Sequence, residues 1–319
     1  MGGVGEGWHG DGAGDAPARV ETVEAADGVA LRAALWRPAG TPRGLVWLLQ
    51  GRTEYLEKYA PFCGRLTAAG FAVAGLDWRG QGLSRRAPGA GRLGHVGDFA
   101  EYQRDLAALL AWGPPAEVPG PRLAVAHSMG GCIGLRGLLD GRLAPSAALF
   151  SAPMWGLALE GVAAWAAPAV AAAATRLGLG LRPAPGQGGG GPYVLSARFE
   201  DNVLVSDPGG WARFRREVEA RPEFSTHAPT LGWLHAAFRE IRALAAAPAD
   251  PPPALVLLGS EERVVSADAI RARAARSPAA ELLELPGARH EPLMEPVDGP
   301  VGARLAPALD AWLDRYAPA

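Results

Sequence analysis

Residues 122–135 read "RLAVAHSMGGCIGL", and the fold turns on them. An apolar run of strand length meets a serine set among small residues, and a helix-like segment follows at once. A strand that turns sharply at Ser128 into a helix would carry that hydroxyl to the carboxyl edge of a sheet, where open α/β folds bind ligands. Such a turn strains the serine backbone and needs small neighbours. Ala126 and Gly130 stand two residues before and after it, and Gly131 adds room against the helix. The first N–H groups of the helix would point at the same spot, which suits a developing oxyanion. The stretch reads as a nucleophile elbow of the G-x-S-x-G kind, with alanine at the first small position.

Outward from this turn the pattern repeats. "GLVWLLQG" (44–51) is followed by a helical spacing of Tyr55, Tyr59, Phe62 and Leu66 that ends on Gly70. "FAVAGLDW" leads to "FAEYQRDLAALLAW", "PALVLLGS" to "SADAIRARAARS", and "AELLELPG" to a terminal helix "VGARLAPALDAWLDRY". Continuous apolar strands alternating with helices predict an α/β fold with a mostly parallel central sheet covered on both faces. "RVETVEAAD" and "VALRAALWRP", split at Gly28, predict an antiparallel hairpin before it. The alternation stops between residues 154 and 250, where an alanine-rich stretch (161–175, broken by Pro168), the loop "PAPGQGGGG" and two helical segments replace it. The expected organisation is a flexible leader (1–17), a core formed by 18–153 and 251–319, and a helical cap over 154–250.

A serine hydroxyl needs a base, and the base a carboxylate to orient it. Of six histidines, His290 in "LPGARHEPLME" follows the last apolar strand and falls at the same sheet edge as Ser128. The acid belongs between the two, after "LVLLG". Glu261 and Glu262 stand there, and the G-x-x-D placement usual for the acid in folds of this kind selects Glu262 after Gly259, with Glu261 as the second choice.

Net charge of −2 gives no field to attract nucleic acid, and a small molecule is the better partner. Two cysteines, Cys63 and Cys132, form neither a metal-ligand spacing nor a disulfide framework, which fits a reducing compartment. With no H-E-x-x-H motif and no phosphate loop ending in G-K-S/T, no metal and no other cofactor is expected. The amino terminus lacks the basic start and apolar core of a secretory signal, which fits a cytoplasmic protein. Its Gly5–Gly10 letters match G-x-G-x-x-G, but no strand precedes them and the match carries no dinucleotide site. The alanine-rich stretch is too short and too interrupted for a membrane span; it reads as a helix packed on the cap or core, with a peripheral contact with a membrane surface as the alternative.

These motifs, in this order, resemble the capped α/β-hydrolases of the monoacylglycerol lipase and bacterial lysophospholipase group. The resemblance covers about residues 18–319 through "LLQGRTEYLEKY", "LDWRGQGLSRR", "GHVGDFAEYQRDL", "AHSMGG", "APTLGW", "GSEERVV" and "GARHE". It implies a Ser128, Glu262, His290 triad and an oxyanion hole from the backbone N–H groups of Arg52 and Met129. Gln50, Ala126 and Glu262 depart from the usual His, Gly and Asp. The implied reaction is serine-dependent hydrolysis of a carboxylic ester through an acyl-enzyme, on a lipid ester of the lysophospholipid or monoacylglycerol type. Acyl transfer, cleavage of short esters or of prolyl peptides, and a silent binding module are the alternatives. Trp155, Trp165 and Trp233 head the candidate apolar lining for an acyl chain, with Leu157, Leu159, Phe199, Trp211 and Phe214. The Arg52 side chain is a candidate partner for a phosphate.

Overall fold

The computed structural model describes residues 7–10, 12, 14–185, 191–248 and 252–318. In chain order the elements are β1 (Arg19–Glu24), β2 (Ala30–Trp36), β3 (Gly44–Leu49), α1 (Ala60–Ala68), β4 (Phe71–Leu76), α2 (Ala100–Ala111), α3 (Gly113–Ala116), β5 (Arg122–His127), α4 (Met129–Leu139) and β6 (Ala147–Ser151). Then come α5 (Gly161–Arg176), α6 (Tyr193–Ser196), α7 (Pro208–Ala220), α8 (Leu231–Ala246), β7 (Ala254–Gly259), α9 (Ala267–Ala275), β8 (Ala280–Leu285) and α10 (Gly302–Tyr316).

One sheet of eight strands runs in the order β1-β2-β4-β3-β5-β6-β7-β8. The β1–β2 and β2–β4 pairs are antiparallel, and every pair from β4 to β8 is parallel. The mostly parallel α/β sheet read from the sequence is the observed one. Strand alternation divides the interior in two. Leu45, Trp47 and Leu49 of β3 face a core closed by α2, α4, α8 and α9, while Val46 and Leu48 face one closed by α1 and α10. Both faces are covered, which is why the central strands carry almost no polar side chain.

The expected helix after β3 begins as a 3-10 turn over Leu56–Tyr59 before α1 takes over. Pro61 at the start of α1 explains the change: it has no N–H to donate and suits a first helical turn. The segment between β6 and β7 is helical but not uniform. α8 buries Trp233, Ala236, Ala237 and Leu244 in the main core, whereas α5 buries only Ala171 and Ala174 of its sixteen residues. Residues 186–190 of the glycine-rich loop, and Gly5 and Glu6 of the amino-terminal glycine motif, lie outside the described residues.

Where the expected leader is described, it touches the core. Trp8 packs edge-on to Trp36 at 5.6 Å, the Gly7 carbonyl accepts from Arg32, and the Asp15 carbonyl accepts from Trp36 Nε1 at 2.9 Å.

Candidate active site

Ser128 joins β5 to α4 with φ of 50° and ψ of −116°, a left-handed conformation that costs a non-glycine residue about 1–3 kcal/mol. Its surroundings hold it there. Ser128 N donates to Ser151 O at 3.0 Å, and Ser128 O accepts from Met154 N at 2.8 Å and Gly131 N at 2.9 Å. The two glycines are steric necessities: a Cβ on Gly130 would lie 2.0 Å from Leu49 O, and one on Gly131 would lie 2.6 Å from Pro153 Cβ. Alanine at 126 is accommodated because Gly134 stands opposite, where even a Cβ would come no closer than 3.4 Å to the Ala126 methyl.

The loop after β8 brings His290 to this turn. His290 Nε2 lies 2.9 Å from Ser128 Oγ, and His290 Nδ1 lies 2.8 Å from Glu262 Oε2. The other oxygen of Glu262 accepts from the N–H groups of Val264 at 2.6 Å and Val265 at 3.1 Å, so the carboxylate is fixed at both ends. The histidine loop is also pinned from the inserted region, His290 N donating to Val203 O and Glu291 N to Leu204 O. Glu261 turns outward, its carboxylate 3.7 Å from Arg289.

Burial works against charge on both His290 and Glu262. Their mutual attraction prevails, so His290 is raised above the ordinary imidazole range and Glu262 held below the usual carboxylate range. His127 behaves oppositely. Its ring lies 4.8 Å from that of His290, and its Nδ1 hydrogen bonds to Ser151 O. Burial, with only partial offset from Glu54 and with repulsion from His290, lowers it to about 4. His127 thus stays neutral where His290 titrates.

The turn after β3 completes the site. A Cβ on Gly51 would lie 3.1 Å from Ser128 Cβ, so this turn abuts the serine. Gln50 directs its side chain to Leu76 O and Asp77 Oδ1, where β4 runs into the "DWRGQGLS" segment. Among the described residues, neither Arg52 N–H nor Met129 N–H, the first of α4, donates to a protein group. Two unengaged donors in residues next to the serine turn are compatible with the oxyanion hole expected there. The "DWRGQGLS" segment braces this turn: Asp77 accepts from Leu56 N, Leu83 N, Gln50 and Arg32, and Arg79 pairs with Asp105 and Asp27.

The Arg52 side chain leaves the turn toward the inserted region, donating to His227 O at 2.7 Å and to Thr53 Oγ1 at 3.0 Å. It lies over the Trp233 ring at 5.1 Å. Its Nε has no acceptor, no carboxylate approaches it among the described residues, and burial lowers its pKa to about 10.

A second buried group was not expected from the sequence. Lys58 Nζ lies 2.7 Å from Glu54 Oε1 and 2.6 Å from Glu291 Oε2, directly behind His290. Glu54 and Lys58 are four residues apart, a spacing that in sequence looks like a surface pair. Oxygen and nitrogen atoms of Glu54, His127 and Glu291 lie within 4.8 Å of one another, and the Lys58 ammonium supplies the positive charge that such a group attracts.

The expected apolar lining separates. Trp155 lies against Phe150 and donates to Gly131 O, beside the serine turn. Trp233 covers Arg52 and donates to Tyr102 Oη at 3.1 Å. Trp165 is not brought to the site: it is 72% exposed on the outer face of α5. An alanine-rich helix has no apolar periodicity from which its inward face could be read. Trp211 and Phe214 pack with Val205 in a small core of the inserted region.

The sequence profile of the family described as serine aminopeptidase, S33, matches residues 40–297. Lysophospholipase L2 of Escherichia coli is 31% identical over 227 residues, which cover 69% of this chain and 64% of that protein, so the chain spans less than two thirds of that relative's length. A monoacylglycerol lipase of Mycolicibacterium smegmatis is 35% identical over 99 residues, 31% of this chain and 34% of that one. Among solved structures, a soluble variant of monoglyceride lipase from Saccharomyces cerevisiae superposes with a TM-score of 0.71 at 18% identity, covering 93% of this chain and 97% of that one, a likeness of fold. The profile match takes in the Ser128 turn, the Glu262 loop and His290 together, and by it the chain belongs to the serine aminopeptidase, S33, family, here on an α/β-hydrolase fold.

Proposed function

We propose that the protein is a serine-dependent carboxylic ester hydrolase that acts through an acyl-enzyme on monoacyl lipids. The observation that carries this reading is the hydrogen-bonded series Ser128 Oγ, His290, Glu262, at 2.9 and 2.8 Å, beside the unengaged N–H groups of Arg52 and Met129. His290 Nε2 takes the Ser128 proton as Oγ attacks the ester carbonyl, and the two N–H groups receive the oxyanion. Glu262 steadies the imidazolium, which then protonates the leaving alkoxide. Water, deprotonated by the same imidazole, attacks the acyl-enzyme and releases the fatty acid.

The names of the relatives, lysophospholipase and monoacylglycerol lipase, support the lipid class. Charge distinguishes the head groups. A buried guanidinium without a carboxylate, at the turn that holds the ester oxygen, suits a phosphate and repels the free amino group of a peptide. A lysophospholipid is therefore the preferred substrate over a monoacylglycerol or an amino-terminal peptide bond. Trp155 and Trp233 flank the serine and the Arg52 turn as walls for the acyl chain.

Among the described residues no helix is long and apolar enough to cross a membrane. Val162, Trp165, Val170, Leu177, Leu179 and Leu181 are nonetheless exposed along and just after α5. This face is the proposed peripheral contact with a lipid surface.

The test is release of fatty acid from a lysophospholipid and a monoacylglycerol of the same acyl chain. Faster release from the lysophospholipid is expected, with that preference lost in Arg52→Gln. Equal rates would discard the phosphate assignment, and no release from either would discard the lipid reading.

A further inference from the structure

Lys58 is the one lysine among the chain's 31 lysines and arginines. It is buried, and its ammonium lies over the Phe214 ring at 4.5 Å as well as between Glu54 and Glu291. A compact ammonium with three rotatable donors can serve two carboxylates at this spacing, where a planar guanidinium fork favours one. The two carboxylates belong to different halves of the site. Glu54 Oε2 accepts from Gly51 N–H, the residue before Arg52, and from Tyr59 Oη at 2.6 Å. Glu291 follows His290 directly in the chain.

Stability alone gives a poor account of this group. Burying three charges costs several kcal/mol per ion, and apolar replacements of similar volume are often as stable. What the arrangement supplies is a direct ionic link between two segments that otherwise meet through apolar packing of Leu56 and Tyr59 with Ala288 and Leu293. We propose that Lys58 is a positioning residue: by bridging Glu54 and Glu291 it ties the turn that presents the Arg52 N–H to the loop that presents His290, so that both keep one spacing about Ser128. This rests on the serine hydrolase reading above.

The bridge also carries a sign. His290 faces Glu262 from the loop after β7, Ser128 and His127 from the end of β5, Glu291 from its own loop, and Glu54 with Lys58 from the segment after β3. Behind Lys58, α7 contributes Arg213, which donates to Lys58 O and pairs with Glu217, itself the acceptor for Tyr55 Oη. Removing the ammonium leaves the imidazolium nearer to unopposed negative charge and favours it. Removing Glu291 does the reverse.

The experiment is the rate of fluorophosphonate labelling of Ser128 as a function of pH in wild type, Lys58→Met, Lys58→Arg and Glu291→Gln. In Lys58→Met the plateau rate is expected to fall about tenfold or more, as small misplacements of reacting groups do. Its acid limb should move up and that of Glu291→Gln down, each by about half a unit. Lys58→Arg keeps the charge, so its limb should stay at the wild-type position while its plateau remains low. Limbs that do not move in opposite directions, or a plateau in Lys58→Met that does not fall, would overturn the proposal. Glu291→Gln preserves side-chain shape, so should Lys58→Met not fold, an unmoved or raised limb in Glu291→Gln overturns it and a lowered limb supports it. A wild type that fails to label would overturn the serine hydrolase reading, and this one with it.

Discussion

The segment from Gln50 to Tyr59 and helix α5 are built in opposite ways. The first buries Glu54, Glu57 and Lys58 and gives each a partner at hydrogen-bond distance, in Lys58, Arg32 and Glu291. The second carries no charged side chain before Arg176, buries two alanines and leaves Val162, Trp165 and Val170 in solvent. A buried charge is tolerated only with its partner in place, so a segment full of them has essentially one arrangement. An exposed helix of small side chains forfeits little when it shifts. The contrast sets the fixed part of the molecule, which holds the Ser128 series, against a helix whose exposed apolar face is the proposed contact with a lipid surface.

The largest effects should come from the fixed part. Ser128→Ala is expected to lower kcat on a monoacyl ester by on the order of a million-fold with unchanged circular dichroism. Glu262→Gln should cost about 10⁴-fold, because the imidazole loses the partner that holds its tautomer. The same variant should bring the acid limb of kcat/KM down, since Glu262 raises His290. In wild type that limb should lie above the ordinary imidazole value, with activity rising with pH as His290 loses its proton. Glu261→Gln, on the exposed neighbour, should stay within about twofold, in the range of ordinary surface changes.

Gly130→Ala sharpens the contrast in packing. Its added Cβ would meet Leu49 O, and urea unfolding should show a loss of about 1–3 kcal/mol or more, as overpacking gives elsewhere. Trp165→Ser on α5 should change unfolding by no more than about 0.5 kcal/mol. Its mark should instead be a several-fold fall in the ratio of turnover on vesicle-borne to monomeric ester. A Trp165 variant that unfolds the protein, or a Gly130 variant that does not weaken it, would break the comparison.

The parts of this account that were legible in sequence are those with a local pattern. The turn at Ser128 was readable because strand, small residue, serine and glycine must follow one another in the chain. The parallel sheet was readable because strands buried on both faces are apolar throughout. Trp165 misled because a run of alanine gives a helix no inward side. The Lys58 group was hidden because Glu54, Lys58 and Glu291 are surface residues by type, and only the chain path after β8 brings the last of them behind His290. Its one available signal was that a chain so rich in arginine keeps a single lysine. The hold of Trp8 on Trp36 was likewise a contact between distant residues, invisible to any local window.

The central claim is that His290 activates Ser128. Fluorophosphonate labelling of wild type and His290→Ala, with the adduct mapped by peptide mass spectrometry, tests it most directly. A single adduct on Ser128 that all but disappears in His290→Ala is the expected result. An adduct on another residue, or equal labelling of Ser128 without the imidazole, would contradict the account.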